Sequence, residues 1–214
     1  MQLMTAASLF VVALANLPLL AQPASPADPA ANGTTNRPPY LARVQRVDGP
    51  GLLPADFAYV TLGTNKFGFV MPEGFRLETQ DRQKVTLVNR DLSCVLTFRV
   101  LEAGLAGKTE PDLAYYRSLL LNRHPGGKIV DELSLVAVGR RGPAFDLRWN
   151  ATGTIPRHER VLFIPWDAGV LEYSLVSSLD KFEAGRRAFG SFLLTFRTPE
   201  ADGRLIMPVL SDRL

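Results

Sequence analysis

Lys66-Phe67-Gly68-Phe69-Val70-Met71-Pro72-Glu73-Gly74-Phe75 reads as a strand, a tight turn and the start of a second strand. Phe67, Phe69 and Met71 recur at a period of two, which puts them on one side of the first strand. Pro72 presets φ and Gly74 accepts φ > 0, so the chain reverses there. The same reading extends outward in both directions. Phe57–Thr61 is a short strand before it. Phe75–Thr79, Lys84–Asn89 and Ser93–Leu101 follow as strands, with Cys94, Leu96, Phe98 and Val100 on one face. A helix comes next, with Thr109 as its cap, Pro111 in its first turn and Pro125-Gly126-Gly127 as its stop. Ile129–Val138, Ala144–Asn150, Arg157–Pro165 and Val170–Ser177 read as further strands. Asp180–Phe196 repeats its apolar residues as a helix does.

Short turns between most of these strands require antiparallel pairing. Helices that follow runs of strands indicate α+β rather than a doubly wound α/β sheet. The expected fold is therefore an antiparallel sheet of about seven to eight strands packed against two main helices. It occupies a single domain over residues 57–198, with 199–214 as a tail.

The composition of the 214 residues is globular, 46% hydrophobic and 21% charged. The net charge of +3 is too mild to suggest a nucleic-acid partner. Cys94 is the single cysteine, so no intramolecular disulfide can form. With two histidines besides, little is left for a nitrogen- and sulfur-ligated metal site, and none is expected. No phosphate-binding glycine loop and no nucleophile elbow is present, so no cofactor and no catalytic residue is assigned.

Residues 1–21 carry no charged side chain, and Leu3–Leu20 is apolar apart from Thr5, Ser8, Asn16 and Pro18. This reads as an export signal, cleaved after Ala21 or retained as an anchor, the one membrane contact expected. The alternative is a buried N-terminal helix. Residues 22–56 contain Pro23, Pro26, Pro29, Pro38, Pro39, Pro50 and Pro54. That many missing N–H groups oppose helix and central strand and favour an extended spacer. Tyr40–Val47 alternates apolar and polar residues and is the exception, a candidate edge strand. An exported domain of this kind is expected outside the cytoplasm, in the periplasm.

The unit Phe67–Phe75 resembles the opening hairpin of the PsbP/Mog-like fold, which includes the bacterial DcrB-like proteins. Val170–Phe196 is similar to that family's last strand and last helix, with Phe182 near the helix start and Ser191-Phe192 near its end. The resemblance implies helices packed against an antiparallel sheet, and a non-enzymatic binding or assembly role. It carries no metal, nucleotide or partner site across.

The remaining candidates are charged. If Phe145, Leu147 and Trp149 face the core, Asp146, Arg148 and Asn150 share the other face. Arg99 lies opposite Phe98 on its own strand, and Arg160 and Glu172 sit on the last two strands. Arg99, Asp146, Arg148, Arg160 and Glu172 then form one exposed charged sheet face, either as cross-strand ion pairs or as an Arg-lined surface for an anionic ligand or protein partner. Arg140 and Arg141 form a basic loop tip between Gly139 and Gly142. His158 and Glu159 are neighbours on a strand and point to opposite faces, which suits a solvated strand start better than a catalytic pair. A hydrolase would need Asp146, His158 and Glu159 to converge. His124 suits a helix C-terminus, and Cys94 a buried structural thiol. The expected role is a non-catalytic accessory protein of the cell envelope that binds another protein. The alternative is a carrier of a small ligand between sheet and helix.

Overall fold

A computed structural model describes residues 41–49, 52–78, 84–101, 112–152, 154–166, 169–200 and 205, all within one unit over 37–214. Among the described residues the strands are β1 (Leu41–Gly49), β2 (Leu52–Leu62), β3 (Asn65–Val70), β4 (Phe75–Glu78), β5 (Lys84–Asn89), β6 (Cys94–Leu101), β7 (Lys128–Ala137), β8 (Arg140–Ala151), β9 (Ile155–Trp166) and β10 (Gly169–Ser177). The helices are α1 (Leu113–Arg123) and α2 (Phe182–Thr195). The fold is α+β, and every strand pair is antiparallel. The expected sheet is the seven-stranded one, ordered β4-β5-β6-β10-β9-β8-β7, and a second, three-stranded sheet, β1-β2-β3, is present beside the expectation.

The large sheet closes on itself in sequence. The hairpins β4–β5–β6 build one half, α1 crosses over, and the meander β7–β8–β9–β10 returns to lay β10 beside β6. That pairing puts residues from the two halves of the domain side by side, Glu172 opposite Arg99 and Ser174 opposite Thr97.

The sheet is buried on both faces because each has its own cover. One face carries Leu87, Leu96, Phe98, Leu162, Ile164, Leu171, Tyr173 and Leu175, which meet Phe67 and Phe69 of β3 and Phe182, Phe189, Phe192, Leu193 and Phe196. The three- and four-residue spacing of this second set, nearly all of it on α2, is the core stripe of a helix. Phe196, the C-cap of α2, lies 4.8 Å from Phe98 of the large sheet and 5.5 Å from Phe67 of the small one between ring centroids, so the end of α2 locks the two sheets together. The other face carries Phe145, Leu147, Val161, Phe163 and Val170 under Tyr116 and Leu120 of α1. Tyr116 stacks on Phe163 at 4.2 Å.

Strand structure begins at Leu41, so the proline-rich spacer does not run to Asp56. The expected edge strand at 40–47 is β1, from Leu41 to Gly49. Pro54 is tolerated in β2 because β3 joins that strand only from Phe57 onward, leaving the Pro54 region with one neighbour. The helix cap also moves. Asp112, not Thr109, caps α1, its carboxylate accepting from the Tyr115 N–H at 3.2 Å. Thr109 lies outside the described residues, as do residues 1–21, where an export signal is expected, and most of the tail. Arg197 extends the small sheet by pairing with Gly68, through N···O distances of 3.0 and 2.7 Å.

The hairpin β7–β8 turns on Val138 and Gly139, with φ of 49° and 71°. Positive φ at both central residues is the turn whose twist matches the strands. Arg140 and Arg141 therefore open β8 rather than tip a loop. Among the described residues no helix is long and apolar enough to cross a membrane.

Candidate functional site

The five charged residues expected on one face divide between two. In a strand, successive side chains alternate sides. Asp146 sits opposite Arg160, and Arg160 opposite Leu175, on the α2 side. Glu172 sits opposite Arg99 and Phe163, on the α1 side. Arg148 shares the α2 side with Asp146 and is exposed. The ion pairs form as expected across strands, but beneath helices, because each face of the sheet is covered.

On the α2 side, Arg160 Nε and Nη2 donate to the two Asp146 oxygens at 2.6 and 2.7 Å, a parallel fork. Both side chains are under a tenth exposed. Phe182, the first residue of α2, lies over the pair, with the Arg160 guanidinium 5.5 Å from its ring centre. His158 stacks flat on Phe182 at 3.4 Å and comes within 3.9 Å of Asp146. Its buried Nε2 has no hydrogen-bond partner among the described residues. Burial holds the His158 pKa below the usual histidine range, Asp146 opposes that, and Arg148 and Arg160 add to it. This histidine is buried rather than solvated, contrary to the expectation.

On the α1 side, one carboxylate serves two guanidiniums. Glu172 accepts from Arg99 Nε at 3.1 Å and Nη2 at 2.9 and 3.2 Å. It also accepts from Arg123 Nη1 and Nη2 at 2.8 Å each. Arg123 ends α1, so this contact ties the helix to the strand it covers. Next to it on the same two strands, the Thr97 and Ser174 hydroxyls lie 2.6 Å apart. Further along that face Glu159 reaches His124, the C-cap of α1, with Oε2 2.8 Å from Nε2. The contact lacks hydrogen-bond alignment. The His124 ring stacks on Trp149 at 4.4 Å.

His158 and Glu159 do point to opposite faces, and Asp146, His158 and Glu159 do not converge. Cys94 is buried, and desolvation raises its thiol pKa. Among the described residues no three His, Cys, Asp or Glu are placed to hold a metal ion. Of the basic pair, Arg140 donates to the Pro165 carbonyl at 3.1 Å, and Arg141 is exposed opposite Val136. Arg123 and Phe182 are the functional-site residues that the sequence pattern missed. Arg123 reads only as a helix-end cation, and its partner lies 49 residues away.

No protein-family model and no curated protein matches the chain. Solved structures do. Cyanobacterial PsbP (CyanoP) from Synechocystis is 11% identical, over 72% of this chain and 92% of that one, with a TM-score of 0.45. The Ran-binding protein Mog1p of Saccharomyces cerevisiae is 15% identical, over 73% and 95%, also at 0.45. LpqN of Mycobacterium tuberculosis, involved in cell envelope biogenesis, is 12% identical over 73% and 91%, at 0.39. The α+β fold of this chain is similar to these PsbP- and Mog-like structures, and the likeness is one of fold.

Proposed function

We propose that this chain is an exported, non-catalytic accessory protein of the bacterial cell envelope, working through protein–protein contacts. The export half of the reading rests on the uncharged apolar segment 1–21 and the proline-rich residues that follow it. The binding half rests on one observation. The buried carboxylates Asp146 and Glu172 are each taken up by arginine forks, so they act as struts rather than as acids or bases. What remains accessible around Glu172 is cationic and rich in donors: Arg99, Arg123 and the half-buried Thr97. Such a polar surface on a rigid sheet suits recognition.

The test is in-cell photo-crosslinking from a benzoyl-phenylalanine at position 122, an exposed residue beside Arg123, in the full, C-terminally tagged chain, followed by mass spectrometry. One dominant extracytoplasmic protein is expected. Capture of nothing from a folded chain, or of cytoplasmic proteins alone, refutes the reading.

A further inference from the structure

We propose that Arg99 and Arg123, aligned by Glu172, form a binding site for a carboxylate side chain of the protein partner. The proposal rests on the binding role argued above and names the chemistry of the contact.

The argument is a count of donors and acceptors. A carboxylate offers about four lone-pair positions, and a guanidinium carries five N–H groups in a fixed fork. Glu172 already receives five contacts from the two arginines, which fills it. Those contacts leave Arg99 Nη1 and Arg123 Nε without a share in Glu172. Thr97 and Ser174 between them hold two hydroxyl protons and use one in their mutual bond, which leaves one to donate. The surplus is therefore in donors.

The charge count agrees. Among the described residues, two guanidiniums around one carboxylate leave a single positive charge. Of the other described acids on this face, Glu159 stands against His124, Glu132 is paired with Arg117, and Glu78 lies two strands from Arg99, opposite Thr86. An excess this small matches one carboxylate better than a polyanion, which needs a row of cations.

Access and rigidity complete the site. The Arg99 and Arg123 side chains are 34% and 27% exposed, while Glu172 is 7% exposed. A buried acceptor thus holds two half-exposed donors in place from β6 and α1. Their orientation is fixed before a ligand arrives, which lowers the ordering cost of binding.

The test uses the folded full chain and two readouts. In the first, N-acetylglutamate α-methylamide, N-acetylglutamine α-methylamide and inorganic phosphate are titrated while the arginine Nε–H resonances are followed by NMR. The glutamate amide, whose one carboxylate is its side chain, is expected to shift the Arg123 Nε–H signal. Arg99→Gln is expected to weaken that response about tenfold, a loss on the scale of one charge-assisted hydrogen bond. Arg99→Lys should restore little of it, because an ammonium lacks the fork. Both variants should fold, since Arg123 still pairs with Glu172. An equal response to N-acetylglutamine α-methylamide, tighter binding of phosphate, or no effect of Arg99→Gln overturns the proposal.

The second readout repeats the crosslinking from position 122 with Arg99→Gln. Capture lost in that variant supports the site. Capture unchanged overturns the carboxylate site and leaves the binding role standing. No capture even with Arg99 intact refutes the binding role, whatever the titration shows.

Discussion

Breaking the Asp146–Arg160 pair should cost far more than removing it. Each side chain is under a tenth exposed and their contacts are 2.6 and 2.7 Å, so neither charge has water to fall back on. Arg160→Met leaves a buried carboxylate, and Asp146→Leu leaves a buried guanidinium. Either single change is expected to cost about 3–5 kcal/mol. The Arg160→Met loss lies at the low end, because His158 Nε2 stands 3.9 Å from Asp146, near enough to close in as a hydrogen-bond donor. For a domain of this size the loss lowers the melting temperature by about 6–20 °C. Asp146→Leu with Arg160→Met removes both charges and returns stability to within about 2 kcal/mol of the parent. The coupling energy is then about 4 kcal/mol or more, above the roughly 0.5–3 kcal/mol that most touching pairs show. Urea denaturation followed by the fluorescence of Trp149 and Trp166 measures all four forms. If Arg160→Met costs less than about 1 kcal/mol, or the double change costs as much as the two singles together, the pair is not the strut described.

Two more expectations follow from close contacts. A Cβ on Gly142 would stand 1.9 Å from the Phe163 carbonyl oxygen, so Gly142→Ala must move β8 against β9. Its cost should exceed the roughly 1–3 kcal/mol of ordinary overpacking, read as a fall in the urea midpoint; an unchanged midpoint disproves the close approach. His158 has its pKa lowered in the fold, chiefly by burial, so the unfolded chain binds the proton first. Stability is then lost as pH falls below the unfolded value of about 6.5, down through the folded one. His158→Phe should flatten that part of the stability–pH curve, and an unchanged slope would assign the acid sensitivity elsewhere.

The order of strands and helices was legible because most apolar residues keep to one period. Phe67 and Phe69, the stripe from Phe182 to Phe196, and the alternation of Cys94, Leu96 and Phe98 each led to the element observed. Sidedness was not legible. Ala144, Phe145, Asp146 and Leu147 are all buried, because β8 has a helix over each face. In such a strand alternation separates two interiors, so a polar residue is no sign of solvent. That is why Arg99 and Glu172 were grouped with Asp146 and Arg160, although α1 covers one pair and α2 the other. The opening of β2, from Leu52 to Asp56, was hidden by Pro50 and Pro54, which mark a spacer unless the strand has a free edge. The Glu172 cluster needs Arg123, and only the return of β10 to β6 brings α1 over that carboxylate.

The place of β1 has a mechanical consequence. It is the outermost strand of the small sheet, paired with β2 from Leu41 opposite Thr61 to Gly49 opposite Leu52. Tension on the chain ahead of Leu41 loads the first of these pairs alone, and the rest only in turn. The ladder opens like a zipper rather than shearing all at once. Under a pull from that side β1 peels first, and the load reaches the Phe67–Phe98–Phe196 cluster only after it has gone. Single-molecule stretching from the N-terminal side would register this as a low, early yield before the main rupture.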